Sequence, residues 1–337
     1  MNALSRLFET LHLSRRDTVS RKSHRRRCTR RQGSSLSCET LESKQLLAAD
    51  LVAPISANPV VVTDAPVAIS LEGKFDESEV SSGTVVKFET NAPLPDPDFY
   101  VELTDNTPST NANFLSYVNS GAYDNSMIHR SVSNFVIQGG GFNAPLTDAD
   151  RPGSDPVSIP TTGTVQNEPG NPNNRGTISM AKLNGQPDSA TSQFFFNLSN
   201  NDFLNSDNGG YTQFGSVLGS GMTVVDTLGS TLTYDATQYY SNTALSDLPL
   251  WNYNADNIVR PNDFVKINKL EVTTDSTDLG LFTYEVTSSD SSKLTASLDG
   301  NGNIVLTPVG NATGTFNVEV TATSKLDNST ASDTFSV

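Results

Sequence analysis

Short strand-like runs recur through the middle of the chain and most constrain its fold. They are rich in β-branched and aromatic residues, turn residues separate them, and they occur at "TVVKFET", "DFYVELT", "SNFVIQ", "GTISMAK", "SQFFFNL", "QFGSVL" and "DFVKINKLEV". Runs of this length and composition are typical of antiparallel strands. Many such strands with few helices predict a mainly β fold in which the sheet closes into a barrel.

Two segments depart from the strand pattern and predict helices. Residues 107–123 begin with Ser, Thr and Asn, carry apolar residues at Phe114, Leu115 and Val118, and reach Gly121 just past the expected end. The run "GMTVVDTL" at residues 221–228 is the second. We therefore expect a barrel capped by two helices.

The charge of the chain is divided between a basic head and an acidic body. Residues 1–50 hold 11 of the 22 Lys and Arg but only 5 of the 37 Asp and Glu, which leaves the rest of the chain at −21. An acidic body repels phosphate backbones and gains nothing from counterion release. Nucleic acid is therefore not an expected partner.

Cysteine and histidine are nearly absent from the body. Cys28 and Cys38 lie in the head with His12 and His24, and His129 is the one histidine beyond it. The body therefore has no cysteine nucleophile, no disulfide and no zinc site of the usual Cys and His type. We expect neither a cofactor nor a metal.

The basic head, residues 1–50, has the features of a processed export leader. It combines an Arg-rich sequence with two small residues near its end, Ala48-Ala49, but lacks the apolar stretch of an ordinary signal peptide. Its "LESKQLLAAD" resembles the leader motif of many exported planctomycete proteins, so we expect a periplasmic, cell-surface or extracellular location. A disordered basic arm is the alternative. No apolar run reaches 18 residues, so no transmembrane helix is predicted.

The flanks of the predicted barrel differ from it in composition. Residues 51–84 are rich in Val, Ala, Pro and Ser without a period, which indicates a linker with at most one edge strand. Residues 273–337 contain closely spaced strand-like runs and predict a small β-sandwich resembling bacterial immunoglobulin-like modules, with an incomplete last strand. Asp299, Asn301 and Asn303 alternate as in a calcium loop, but Ile304 replaces the required Gly and favours a plain turn.

The stretch "NFVIQGGGF" ends a buried strand with an amide and three glycines. Two more segments, "NRGTISMAKLNGQPDSATSQFFFNL" and "NDFLNSDNGGYTQFGSVL", likewise mix apolar side chains with a few donors, which suits a ligand or peptide groove. Gly139, Gly141 and Ala144 also fit a loose dinucleotide fingerprint. Pro145 follows and no helix opens there, which argues against that interpretation.

These segments resemble the cyclophilin family of peptidyl-prolyl isomerases over residues 85–272. The matching motifs are Ile128-His129-Arg130 through Phe142, Ser179-Met180-Ala181, and Ser192-Gln193-Phe194-Phe195. The resemblance implies an eight-stranded antiparallel barrel closed by two helices, with a substrate groove on its outside face. Xaa-Pro-containing polypeptides would be the substrates and partners.

The resemblance also implies a role for each site residue. Arg130, Gln138 and Phe135 would be catalytic, with Arg130 donating to the twisted amide. A surface arginine paired with an acidic residue is the alternative for Arg130, and a structural role is favoured for His129. The remaining groove residues would be Val136, Ala181, Lys182, Gln193, Phe195, Phe203, Leu204 and Tyr211.

Three positions depart from the eukaryotic pattern of the family. Phe203 replaces a tryptophan, Tyr211 a histidine and Lys182 a frequent asparagine, as in bacterial members. The segment at residues 234–262 is longer than the usual connection before the last strand, and its sequence indicates no function. A non-catalytic proline-peptide binder or cell-surface scaffold is the alternative to an enzyme. We expect a monomer whose tail binds a surface or a protein.

Overall fold

The computed structural model describes residues 49–337 apart from 64, 82, 147–154, 255–258, 274, 275 and 277. The predicted leader therefore lies almost entirely outside the described residues, together with both cysteines and two of the histidines. Within the described part, no helix is both long and apolar enough to cross a bilayer.

Strands dominate the described residues, as the sequence predicts. In chain order they are β1 (Ala49–Leu51), β2 (Val67–Ser70), β3 (Phe75–Glu77), β4 (Val85–Thr90), β5 (Phe99–Leu103), β6 (Ser126–Met127), β7 (Arg130–Val132), β8 (Val136–Gly139), β9 (Phe142–Asn143), β10 (Val157–Ser158), β11 (Thr177–Met180), β12 (Phe194–Asn197), β13 (Gln213–Val217), β14 (Thr233–Tyr234), β15 (Leu248–Pro249), β16 (Lys266–Thr273), β17 (Phe282–Ser288), β18 (Leu294–Leu298), β19 (Asn303–Pro308), β20 (Asn317–Ser324) and β21 (Thr330–Ser336). The α-helices are α1 (Pro108–Asn119), α2 (Met222–Gly229) and α3 (Thr237–Tyr240).

Eight antiparallel strands form a closed barrel. Seven neighbours pair in the order β16, β4, β5, β13, β11, β12 and β8, and the continuous segment of β6 and β7 joins the two ends of that series. In this segment Ile128 N–H donates to the carbonyl of Val265 at 2.9 Å, and His129 N–H donates to the carbonyl of Gln138 at 3.0 Å. One segment thus pairs with both ends, which closes the sheet. The predicted barrel is confirmed.

An aromatic core fills the barrel. Its fully buried rings are Phe88, Phe99, Phe114, Tyr123, Phe194, Phe196 and Phe214. Phe88 stacks on Phe99 with ring centroids 4.8 Å apart. α1 contributes Phe114 to this core and α2 contributes Val225. The two helices therefore cap the barrel by burying their apolar faces against it, as predicted.

Two three-stranded sheets form the C-terminal part of the fold. One has the order β17-β20-β21 and the other β18-β19-β2. Their inner faces share one buried core that includes Leu294, Ile304 and Val320. β21 pairs with β20 from Thr330 to Ser336 without a break in register. The arrangement is a small β-sandwich, as the strand spacing of the tail indicates.

The predicted linker at residues 51–84 differs from what the structure contains. β2 pairs with β19, and Ile55, Leu71 and Phe75 are buried in the core of the sandwich. Ile55 N–H also donates to the Asp333 carboxylate at 2.7 Å. The segment therefore completes the C-terminal sandwich. β2 is short and its partner lies more than 230 residues away in sequence, and β3 has only three residues, so neither strand has a clear local signal.

The sandwich packs directly against the barrel. Val85, Tyr100 and Leu218 belong to the barrel segment but lie in the buried core of the sandwich. Ser220 N–H donates to the carbonyl of Leu326 at 2.8 Å. This shared core makes the two parts of the fold mutually dependent for burial of apolar surface.

The turn at Asp299 is held by hydrogen bonds between the aspartate side chain and nearby backbone groups. Its carboxylate accepts from the N–H groups of Asn301 and Asn303 at 2.8 and 2.9 Å, which is the local pattern of an Asx turn. Across the described residues, no group of three or more His, Cys, Asp and Glu side chains is arranged to hold a metal ion.

Candidate active site

Three neighbouring barrel strands carry the central row of the site. Arg130 on β7 lies directly opposite Gln138 on β8, and Gln138 lies opposite Phe195 on β12. Directly opposed residues of antiparallel strands project from the same face. Phe194 and Phe196 project to the other face and enter the barrel core, as strand alternation predicts. The row therefore lies on the outside of the barrel.

Two amides stand together in this row. Gln138 Nε2 donates to Gln193 Oε1 at 2.8 Å, and Gln138 is only 8% exposed. This bond satisfies one amide group of each side chain and fixes their orientation. The two residues therefore form a rigid polar surface beside Arg130.

Arg130 is largely buried between an acidic and an aromatic neighbour. Its side chain is 14% exposed, and its Nε lies 3.7 Å from Oδ2 of Asp247. The guanidinium carbon lies 6.0 Å from the ring centroid of Phe135. Burial lowers the pKa of Arg130 from its ordinary value, and the negative charge of Asp247 opposes that shift. Arginine nevertheless stays protonated at neutral pH.

A buried apolar cluster, here called the apolar pocket, adjoins the arginine. It consists of Phe135, Val136, Ala181, Phe195, Leu204 and Tyr211. Phe203 covers one side, stacked on Phe135 with centroids 5.6 Å apart, and remains 43% exposed. The pocket offers rings and aliphatic groups but no charged side chain, which suits a pyrrolidine ring.

Lys182 stabilises the loop that carries Tyr211. Its Nζ donates to the carbonyls of Asn208 and Gly210 at 2.9 and 2.5 Å and lies 4.7 Å from the centroid of the Tyr211 ring. Burial lowers its pKa to about 8, although nearby aspartates raise it. The Lys182 side chain therefore holds the loop that places Tyr211 in the pocket. The backbone N–H of Ala181 is bonded to the Gln193 carbonyl at 2.9 Å.

A buried amide network lies beneath the pocket. Asn201 Nδ2 donates to the carbonyl of Phe135 at 3.1 Å and to Oδ1 of Asn197 at 2.8 Å. Asn173 Nδ2 donates to the carbonyl of Tyr211 at 3.2 Å. Networks with satisfied donors and acceptors hold a single arrangement. The two aromatic walls of the pocket are thereby fixed relative to each other.

The three glycines after Gln138 allow the chain to turn against β12. Gly140 has φ +72°, and a Cβ there would lie 2.5 Å from the carbonyl oxygen of Ser192 and 2.9 Å from the Phe194 ring. Only glycine adopts this conformation without steric cost. The glycine run therefore lets the backbone pass directly over the strand that carries Gln193.

Gly140→Ala is expected to lower the free energy of unfolding by more than about 2 kcal/mol, because a left-handed backbone costs about 1–2 kcal/mol for a residue with a Cβ and the clash adds to it. Gly185→Ala is the matched control, since Gly185 has φ +71° but a Cβ added there would meet no atom within 4 Å. Denaturant melts measure both. Equal losses would mean that the backbone near Ser192 relaxes around the added methyl.

His129 is buried and neutral. It is 1% exposed and packs edge-on against Phe142 with centroids 5.1 Å apart. Burial, followed by the positive charge of Arg130, lowers its pKa to about 3. A group that stays uncharged and enclosed at neutral pH is poorly suited to acid or base chemistry, so a structural role is favoured.

Acidification is expected to destabilise the protein through His129. The unfolded chain binds a proton near the ordinary pKa of 6.5, whereas the folded chain does so only near pH 3. Stability from this group is thus complete above pH 6.5 and falls, by at most about 1.4 kcal/mol per pH unit, as the pH drops towards 3. Urea midpoints between pH 4 and 7 should vary less for His129→Gln than for wild type. Parallel pH profiles would contradict this.

A groove of about 940 Å³ runs past Arg130, Gln138 and Gln193. One wall is formed by residues from the region 158–164 and from 181–191, which contribute mostly hydroxyl and amide groups. The other wall comes from residues 235–247, which belong to the long segment that the sequence left unassigned. The groove therefore carries hydroxyl and amide groups on both walls among apolar side chains, and Ala181 connects it to the apolar pocket.

Residues 85–247 match the family model described as cyclophilin type peptidyl-prolyl cis-trans isomerase/CLD. A peptidyl-prolyl cis-trans isomerase of Acinetobacter baylyi is 38% identical over 165 residues, which cover 48% of this chain and 79% of that relative. The chain belongs to the cyclophilin family of peptidyl-prolyl cis-trans isomerases. A Streptomyces antibioticus peptidyl-prolyl cis-trans isomerase is 42% identical over 136 residues, 38% of this chain and 75% of the relative.

A solved cyclophilin-type peptidyl-prolyl cis-trans isomerase of Cryptosporidium parvum covers 57% of this chain and 99% of its own, with 22% identity and a TM-score of 0.39. The family assignment of the cyclophilin domain rests on the sequence relatives.

The cyclophilin domain brings together the site residues that the sequence nominates. Arg130, Gln138, Ala181, Lys182 and Gln193 line the groove, and the aromatic and aliphatic candidates line the pocket beside it. The sequence did not predict one neighbour of Arg130, Asp247, which lies within the long segment at residues 234–262. The unusual length of that segment was the available signal, but length alone does not identify a residue.

Proposed function

We propose that the cyclophilin domain catalyses rotation about Xaa-Pro peptide bonds by a non-covalent mechanism in which Arg130 stabilises the twisted amide. The observation that carries the proposal is the row of Arg130, Gln138 and Phe195 across three adjacent strands, next to the apolar cluster around Phe135 and Phe195. This arrangement would hold a proline ring and direct cationic donors at its nitrogen.

The barrier to amide rotation explains why this small set of groups suffices. Rotation costs about 18–20 kcal/mol because the amide loses resonance as it twists. In the twisted state the proline nitrogen becomes pyramidal and regains a lone pair. A guanidinium that donates to this lone pair binds the transition state more tightly than either planar ground state.

The other site residues would bind and orient the peptide. The amides of Gln138 and Gln193, fixed by their mutual 2.8 Å bond, would contact peptide carbonyl and N–H groups. The pocket around Phe135 and Phe195 would exclude water from the proline ring, which strengthens the charge interaction. Neither a nucleophile nor a general base is required.

The test is the isomerisation rate of a short Xaa-Pro peptide in the presence of the full chain. Uncatalysed exchange takes tens to hundreds of seconds at 25 °C, so acceleration is readily detected by exchange NMR. We expect acceleration in proportion to protein concentration. Peptide binding without any acceleration would favour the alternative, a proline-peptide binding or scaffold protein.

We further propose that the protein acts on exported polypeptides as a monomer, and that its immunoglobulin-like sandwich attaches it to a surface or partner. The leader motif predicted from the sequence supports export. Cell fractionation and gel filtration test location and oligomeric state. Recovery of the protein only in the cytoplasm would contradict the first point.

A further inference from the structure

The segment at residues 234–262, here called the insertion, packs against the barrel through a core of its own. Leu245, Leu248 and Leu250 are almost fully buried, together with Met127 and Phe142 of the barrel. β15 of the insertion also contacts β7, the strand that carries Arg130. The insertion is therefore firmly attached at the edge of the groove.

Asp247 is the insertion residue that faces the proposed catalytic arginine. Its backbone carbonyl accepts from Ser131 N–H at 2.9 Å, which fixes the main chain beside β7. Its Oδ2 lies 3.7 Å from Nε of Arg130 and accepts a hydrogen bond from the Ser246 hydroxyl at 2.9 Å. The carboxylate is thus held near one edge of the guanidinium.

We propose that Asp247 is a positioning residue that orients the guanidinium of Arg130 towards the proline nitrogen; this rests on the proposed function. The carboxylate attracts the Nε edge, while the ring of Phe135 lies 6.0 Å from the guanidinium carbon. An arginine constrained at these two places can adopt only a limited set of orientations beside the groove. Pre-organisation of this kind lowers the cost of reaching the transition state.

Charge neutralisation is the opposing effect of the same contact. A carboxylate close to Arg130 also weakens the positive potential available to the proline nitrogen. Orientation should prevail because the ion pair is long, at 3.7 Å, and Asp247 is 42% exposed, so solvent screens much of its charge. If orientation dominates, removing the Asp247 charge lowers the isomerisation rate. If charge neutralisation dominates, it raises the rate, so a rate measurement distinguishes the two.

The experiment compares Asp247→Asn with wild type in the full chain, using a short Xaa-Pro peptide. The main-chain bond to Ser131 survives this substitution, so the fold should be retained. We expect kcat to fall roughly two- to fivefold with little change in KM, because partly exposed ion pairs contribute at most about 1 kcal/mol, which is about fivefold in rate. Asp247→Glu, which keeps the charge, should retain more of the rate.

Asp226→Asn is the matched control. Asp226 pairs with Arg175 on the surface of α2, its side chain is 47% exposed, and neither residue lines the groove. This variant should keep the wild-type rate. In the Arg130→Ala background, Asp247→Asn should have no further effect on the isomerisation rate. A purely structural contribution of Asp247 would instead lower the rate in both backgrounds.

Three outcomes would overturn the role of Asp247. If wild type is active and Arg130→Ala is slow, an unchanged or faster Asp247→Asn enzyme shows that the carboxylate does not position the arginine. If Asp247→Asn lowers the rate equally in the Arg130→Ala background, the effect is structural. If wild type does not accelerate isomerisation, the proposed function and the role of Asp247 fail together.

Discussion

Arg130→Ala is expected to reduce kcat/KM for a short Xaa-Pro peptide by about 10²–10³, with little change in stability. A donor directed at developing charge or a lone pair in the transition state is worth about 2.7–4 kcal/mol, by analogy with oxyanion-hole deletions. The substitution removes the guanidinium but leaves the pairing of β7 with β8 intact, because that pairing uses backbone groups. Single-turnover and steady-state rates, together with a thermal melt, measure both parts of the prediction.

Arg130→Lys and Phe135→Ala distinguish transition-state stabilisation from binding. Lysine keeps the charge but not the planar fork, so it should rescue only part of the rate. Phe135→Ala removes a wall of the pocket that contacts both ground and transition states, so it should weaken peptide binding and catalysis together. Near-normal isomerisation by Arg130→Ala would remove the central residue of the proposed mechanism and favour the binding-protein alternative.

The barrel could be predicted from sequence because its strands carry local signals. Alternation along "FFFN" sends Phe194 and Phe196 to the core and Phe195 to the outside face, and β12 has that arrangement. The glycines after Gln138 likewise mark a place where a backbone passes close by, which the position of Gly140 against Ser192 explains. Periodicity and turn residues are properties of neighbouring residues, so a single sequence contains them.

Long-range partners could not be predicted in the same way. β2 has four residues of alternating intermediate and exposed burial, which is too weak a pattern to indicate a partner. Its pairing with β19 depends on residues more than 230 positions away. Asp247 is 117 positions from Arg130 in the sequence, and no local sequence pattern around Asp247 indicates the contact between them. Such contacts follow from the closed topology rather than from local chemistry.

The domain boundary predicted at residue 273 separates segments that share the core of the sandwich. We therefore expect a truncation near this boundary to destabilise the chain. Removal of residues 276–337 alone should leave the chain aggregated or melting well below the full chain. It would expose Ile55, Leu71 and Phe75 together with the barrel residues Tyr100 and Leu218. Each fully buried side chain of this kind contributes roughly 1.5–3 kcal/mol, so the loss approaches the whole stability of about 5–15 kcal/mol typical of a domain.

Removal of residues 49–80 together with 276–337 is the informative comparison. This second truncation removes both chain segments that form the sandwich. Only the barrel surface that contacts the sandwich then becomes exposed, chiefly Val85, Tyr100 and Leu218. The barrel keeps all eight strands and its aromatic core. We therefore expect the double truncation to melt at a higher temperature than the single one and to retain isomerase activity. A single truncation that is as stable and active as the full chain would mean that residues 49–80 stabilise the barrel without their partners in the tail.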